Sequence, residues 1–215
     1  MTSETPWEFG LAPLPQTAEL ASVLRRVAGL ALALDGHDTA VEHVIRELRT
    51  TERLLLERIP PDTSPRLGAG ATGRQRPYLD HARNIGRYDP CFPEYEIVVD
   101  GTHAAGSVTF PLVFEGPPGL VHGGVLATFF DCVIQHHNCD VGVAGKTTTL
   151  LVEYRRPTPL NETLSFLVTR VASEHRIISN ASILSAGKTL CTATMTAVAG
   201  DRRDLPEVGP RMGTV

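Results

Sequence analysis

Between residues 20 and 34, Leu20, Val23, Leu24, Val27, Leu30, Ala31 and Leu34 recur at steps of three and four, which lines them up on one face of an α-helix. Asp35-Gly36-His37-Asp38 interrupts the repeat. Thr39 with Glu42 three residues later has the form of a capping box, and Val41, Val44, Ile45, Leu48, Leu55 and Ile59 carry a second helix onward. Two helices joined by a short turn predict a helical hairpin. From Pro60 to Pro77 the chain is rich in proline and glycine and short of apolar residues, so it reads as a linker or loop, followed by a short helix over 78–89.

From Tyr95 the pattern turns to strands. Residues 96–99 and 106–110 flank Asp100-Gly101 and predict a hairpin. Further strands are expected over 147–154, 164–172, 177–185 and 189–197, with Pro157-Thr158-Pro159 and Ala186-Gly187-Lys188 as breaks. Between the two β groups, residues 124–134 are apolar nearly all round a helical wheel, so this helix should be covered by sheet on most sides. Two helices and a linker, then two strands, one helix and several further strands, suit the α+β class.

Composition narrows the partners. Charged residues make up 20% of the 215 and the formal net charge is −4, which argues against a nucleic-acid binder or a polybasic membrane-surface protein. The four cysteines (Cys91, Cys132, Cys139, Cys191) are widely spaced, as expected in a reducing, cytoplasmic setting. The first residues carry an acid and no basic region, and Arg25-Arg26 precedes only a short apolar stretch ending at Asp35, so no export signal is expected. No run approaches the ~20 apolar residues that span a bilayer, and no membrane insertion is expected. The length suggests one core domain with an appendage.

One acid, Asp131, stands in the middle of the apolar helix. An ionised carboxylate buried without partners costs several kcal/mol or shifts its pKa, so Asp131 needs a structural partner or a chemical task. The approach to the helix, Gly116-Pro117-Pro118-Gly119-Leu120-Val121-His122-Gly123-Gly124, is a glycine-rich turn. A helix start of this kind offers free N–H groups and a partial positive charge to an incoming oxygen, as an oxyanion hole does. Asp131 lies eight residues beyond Gly123, about 12 Å along the same helix at about 1.5 Å per residue. Both cannot flank one carbonyl, so a site using both needs the helix of a second subunit.

His122-Gly123-Gly124, Asp131, and the stretch from Thr147 through Glu153-Tyr154-Arg155-Arg156-Pro157 to Leu160 together resemble the hotdog-fold acyl-CoA thioesterases of the phenylacetate-pathway (PaaI-like) type. The resemblance covers residues 93–200. It implies a long central helix wrapped by a curved antiparallel sheet, homodimers joined edge to edge, and often homotetramers. The division that follows is a helical hairpin extension over 1–59, a linker and short helix over 60–92, the hotdog unit over 93–200 and a tail over 201–215.

The resemblance also assigns roles. A main-chain N–H at Gly123 or Gly124 would polarise the thioester carbonyl of an acyl-CoA, and Asp131 of the partner subunit would act as nucleophile or as general base for water. Thr147, with Thr148 beside it, matches the hydroxyl that orients the water; His122 is a positional residue. The polar side chain that relatives place before His122 is replaced by Glu115 and Gly116. Arg155 and Arg156 are candidates for a coenzyme A phosphate. His136-His137-Asn138-Cys139-Asp140 lacks metal-site spacing and reads as a helix C-terminus, or as the mouth of the acyl pocket with His136 in a substrate-binding role. No metal and no cofactor are expected. Acyl-CoA binding without turnover, and a dehydratase on the same fold, are the alternatives. Gly145-Lys146-Thr147 and Gly187-Lys188-Thr189 lack the remaining glycine of a phosphate loop, and no G-x-S-x-G elbow exists.

Overall fold

In the computed structural model, residues 13–59, 84–141 and 145–199 are described. The linker over 60–77, the first half of the short helix expected over 78–89 and the tail over 201–215 lie outside them; in the described half, residues Ile85–Arg87 form a single 3₁₀ turn in place of the expected helix.

Six strands form one antiparallel sheet: β1 (Tyr95–Asp100), β2 (His103–Thr109), β3 (Gly145–Tyr154), β4 (Thr163–Ala172), β5 (Arg176–Ser185) and β6 (Lys188–Ala199). Their spatial order is β1-β2-β4-β5-β6-β3, with β1 and β3 at the edges. The strands alternate as a half-buried sheet requires. Leu164, Phe166 and Val168 of β4, Ile177, Ala181 and Ile183 of β5, and Cys191, Ala193, Met195 and Ala197 of β6 are buried, and most residues between them are exposed or half-buried. The turn from β1 to β2 has two residues, and Gly101 supplies the positive φ of +54° that it needs.

The helix of the β unit, Gly123–Asp140, packs against β3, β4, β5 and β6. Phe129 anchors it. Its ring lies 5.4 Å from Phe110 and Phe166, 5.9 Å from Tyr95 and 6.1 Å from Phe92, mostly edge to face. An antiparallel sheet around one central helix is the hotdog fold. This helix, numbered α3 because two precede it, runs six residues past the apolar stretch 124–134. The added turns bury polar residues because each finds a partner. His136 Nδ1 meets Tyr95 Oη at 2.8 Å and the Asn84 N–H at 3.1 Å, His137 Nε2 lies 2.8 Å from the Gly101 carbonyl, and the Ser179 hydroxyl reaches Asn138 at 3.5 Å.

The preceding helices are α1 (Pro15–Leu32) and α2 (Thr39–Leu56). The docked side of α1 coincides only in part with its apolar repeat, of which Leu24, Val27 and Ala31 are half-buried. Ala21 and Arg25 are buried, while Leu20, Val23, Leu30 and Leu34 stay exposed. Arg25 donates to Glu94 Oε1 at 2.6 Å and to the carbonyls of Gly86 and Asp89 at 2.8 Å, fastening α1 to the segment that leads into β1. Burial pulls the Glu94 carboxyl upward, but the Ser22 hydroxyl with Arg25 and Arg26 outweighs it and holds the group below its ordinary range. The α2 helix buries no residue and is not packed closely on α1, so the turn is that of a hairpin without its usual helix–helix packing. Its cap is Asp38, whose Oδ1 accepts the Ala40 N–H at 2.7 Å; Thr39 is the first helical residue. No described helix is long and apolar enough to cross a membrane.

Candidate active site

The loop into α3 is held from both sides. Glu115 Oε1 accepts the Gly119 N–H at 2.7 Å, Gly116 donates to the Leu120 carbonyl and His122 to the Phe114 carbonyl at 2.9 Å, and Val121 donates to the Thr158 carbonyl at 2.9 Å. A Cβ at position 116 would lie 2.8 Å from His122 Cα, so glycine is needed there and no side chain can project from it toward the helix start. The carboxylate at Glu115 is turned to the loop's own backbone.

His122 is the N-cap of α3, and its Nδ1 accepts the Gly124 N–H at 3.0 Å. An accepting Nδ1 leaves the proton of the neutral ring on Nε2. The Gly124 amide is therefore already used, whereas the Gly123 N–H has no hydrogen-bond partner among the described residues. Of the two amides expected to polarise a carbonyl, Gly123 is the open one. Tyr154 at the end of β3 fixes this residue: its hydroxyl donates to the Gly123 carbonyl at 2.8 Å, and its ring lies 3.3 Å from where a Cβ at position 123 would stand. Burial, with the nearby Cys191 sulfur, pushes the Tyr154 phenol upward, which keeps it a donor.

Two turns on, Asp131 is half-buried rather than enclosed. It belongs to a strip, Gly124, Thr128, Asp131 and Gln135, running along α3 beside edge strand β3, exposed at the first two positions and half-buried at the last two. The Thr147 hydroxyl donates to Asp131 Oδ1 at 3.1 Å; Oδ2 has no hydrogen-bond partner among the described residues. Gln135 Nε2 donates to Thr147 Oγ1 at 2.8 Å and to the Gly145 carbonyl at 3.0 Å. Cys132 beside it is no nucleophile near neutrality: burial, then the charges of Asp131 and Asp89, push its thiol up to about 12.

A β-bulge decides which threonine meets the acid. Leu150, Val152 and Tyr154 pair with Met195, Ala193 and Cys191 on the inner face, so strict alternation would turn Thr148 inward. The register shifts between Thr147 and Thr149: Thr147 pairs with inner Ala197 and Thr149 with outer Thr196. Thr148 is the extra residue, and its hydroxyl donates to the Thr196 carbonyl at 3.0 Å.

The structure thus groups Asp131 with Thr147, and His122 with Gly123 and Gly124, about two helical turns apart. It does not bring the other candidates to Asp131. Arg155 donates to Glu153 at 3.0 Å and to Thr192 Oγ1 at 3.4 Å on the outer face of the sheet, and Arg156 donates to the Thr189 carbonyl at 2.6 Å. His136 is buried against Tyr95 and beside Asp140. Sequence reasoning missed Gln135 and Tyr154. For Gln135 a signal was present, since positions four apart share a helix face.

No family model matches the chain. It is similar to a solved thioesterase superfamily protein, with 27% identity and a TM-score of 0.67 over 87% of this chain and 97% of that one. That share exceeds what residues 93–200 alone could supply, so the likeness reaches into the N-terminal region. A hypothetical thioesterase from Streptococcus pneumoniae, solved with coenzyme A, is 22% identical, with a TM-score of 0.49 over 51% of this chain and 88% of that one. The PaaI protein of E. coli, from its phenylacetic acid degradation operon, is 17% identical, with a TM-score of 0.46 over 48% and 82%. The neighbours are thioesterase superfamily proteins, and the chain shares their fold.

Proposed function

We propose that this structural relative of thioesterase superfamily proteins hydrolyses acyl-CoA thioesters to a free acid and coenzyme A, as a homodimer with shared sites. The observation that carries the reading is a half-buried carboxylate on α3 beside edge strand β3, one oxygen held by Thr147 and the other open, on a helix whose first amide is also open.

In this reading the Gly123 N–H of one subunit donates to the thioester oxygen, aided by the partial positive charge of the helix start. Asp131 of the other subunit takes a proton from water as its oxygen adds to the carbonyl carbon. The tetrahedral intermediate then collapses, the C–S bond breaks, and the proton on Asp131 passes to the departing thiolate. Direct attack by Asp131, forming an anhydride that water then opens, uses the same groups. The edge strand β3, ten residues long and mostly exposed, supports a dimer built by pairing two such edges beside the α3 helices.

Two variants test this by thiol release from short-chain, long-chain and aromatic acyl-CoA. Asp131→Asn removes the base, and Gly123→Pro removes the amide at the first helical position, where proline is tolerated. Each alone should be inactive. After unfolding and refolding an equal mixture, mixed dimers keep one intact site and should restore roughly a quarter of wild-type activity. If Asp131→Asn hydrolysed the whole panel within about threefold of wild type, under ~1 kcal/mol of transition-state effect, the assignment would be wrong.

A further inference from the structure

We propose that Gln135 is a positioning residue that sets the direction of the Thr147 hydroxyl, sending its proton to Asp131 and leaving one lone pair for the attacking water. The inference rests on Asp131 acting as the base. It starts from the Gly145 carbonyl, 3.0 Å from the Gln135 side chain, which can only accept. The amide nitrogen must therefore face β3, and its second hydrogen points at Thr147 Oγ1, 2.8 Å away.

A hydroxyl that accepts from an amide must send its own hydrogen elsewhere. Two acceptors are within reach, Asp131 Oδ1 at 3.1 Å and Met195 Sδ at 3.7 Å. A carboxylate oxygen is the stronger and nearer acceptor, so the chain of donation runs Gln135 to Thr147 to Asp131. Thr147 then has one lone pair unused. A water that donates one hydrogen to it is turned to present the other to Asp131 Oδ2. The same amide ties Gly145 at the start of β3 to α3, next to the bulge that turns Thr147 inward.

The inference is tested by reversing the amide's polarity. Gln135→Glu keeps the shape and, near neutrality, replaces a donor with an acceptor, drawing the Thr147 hydrogen away from Asp131. It should lower kcat per folded molecule at least about tenfold on the best acyl-CoA of the panel, with KM within about twofold, while the melting temperature falls because the tie to the Gly145 carbonyl is lost and a like charge stands four residues from Asp131. Gln135→Met, which neither donates nor carries charge, should lower kcat by a smaller factor and serves if the first variant folds poorly. Thr147→Val supplies the decisive comparison: because Gln135 acts through Thr147, adding Gln135→Glu to Thr147→Val should cost no further activity. Additive losses, or Gln135→Glu within twofold of wild type while Asp131→Asn is inactive, would overturn the positioning role and leave the thioesterase reading standing. An active Asp131→Asn would overturn both.

Discussion

The two ends of α3 carry similar polar residues inside an otherwise apolar helix and treat them in opposite ways. Toward the C-terminus, His136, His137 and Asn138 are buried, and each meets at least one partner from β1, the β1–β2 turn, β5 or the segment before β1, although His137 Nδ1 and Asn138 Nδ2 find none among the described residues. From its start to Asp131, the Gly123 amide and one Asp131 oxygen keep unused hydrogen-bonding capacity among the described residues, and both residues are half-buried rather than enclosed. A buried polar group with a partner holds a fold together; a less enclosed one with spare capacity is available to a ligand.

The largest expected effect tests the open half. Asp131→Asn should lower kcat/KM about 100-fold or more, the range of a general base, while melting stays near wild type; a large loss of stability instead would erase the distinction between the two ends. The mirror experiment is His137→Leu, which removes the bond to the Gly101 carbonyl from a fully buried site. Unfolding in urea should show a loss of about 2 kcal/mol with catalytic constants per folded molecule little changed.

Acidification sharpens the same contrast. Burial lowers the His137 pKa, outweighing the bond to the Gly101 carbonyl that raises it, so the folded state binds the proton less readily than the unfolded chain. Stability from this residue is then full above the ordinary imidazole pKa of about 6.5 and declines as pH falls through it toward the lowered folded value. Melting curves between pH 8 and pH 5 should show this decline, and His137→Leu should flatten it. The smallest effect is expected for Tyr154→Phe, which deletes one exposed hydrogen bond to the Gly123 carbonyl; about 0.5–1.5 kcal/mol of stability and a modest fall in kcat should follow, measured by urea unfolding and thiol release.

The strands were the most legible part of the chain. Alternation over 147–154, 164–172, 177–185 and 189–197 falls within β3 to β6, because half-buried strands write their two faces directly into the sequence. The bulge could not be read that way: three consecutive threonines look alike, the choice of Thr147 rested on the resemblance alone, and the pairing with β6 supplies the physical reason that it and not Thr148 faces Asp131. The last turns of α3 were legible as a helix C-terminus at 136–140, but their burial was not, because buried His and Asn resemble surface residues until their partners are known. On α1 the apolar repeat gave the helix correctly but only part of its docked face, since the buried guanidinium of Arg25 also makes the contact. At the site, Asp131 stood out by its neighbours, whereas Gln135 is an ordinary residue for a helix and gains meaning only from the strand beside it.

Arg25 spreads one guanidinium over three acceptors, two of them backbone carbonyls. Viewed as mechanics, α1 is pinned to the segment before β1 by a charged rivet, with the buried Ala21 and the packing of α1 on residues 112–114 beside it. Such a joint has little give but few points of attachment, so one substitution at Arg25 could unpin α1 while leaving the sheet intact. The extension is therefore the part of this chain most open to exchange, with a new segment needing to supply a guanidinium of the same reach.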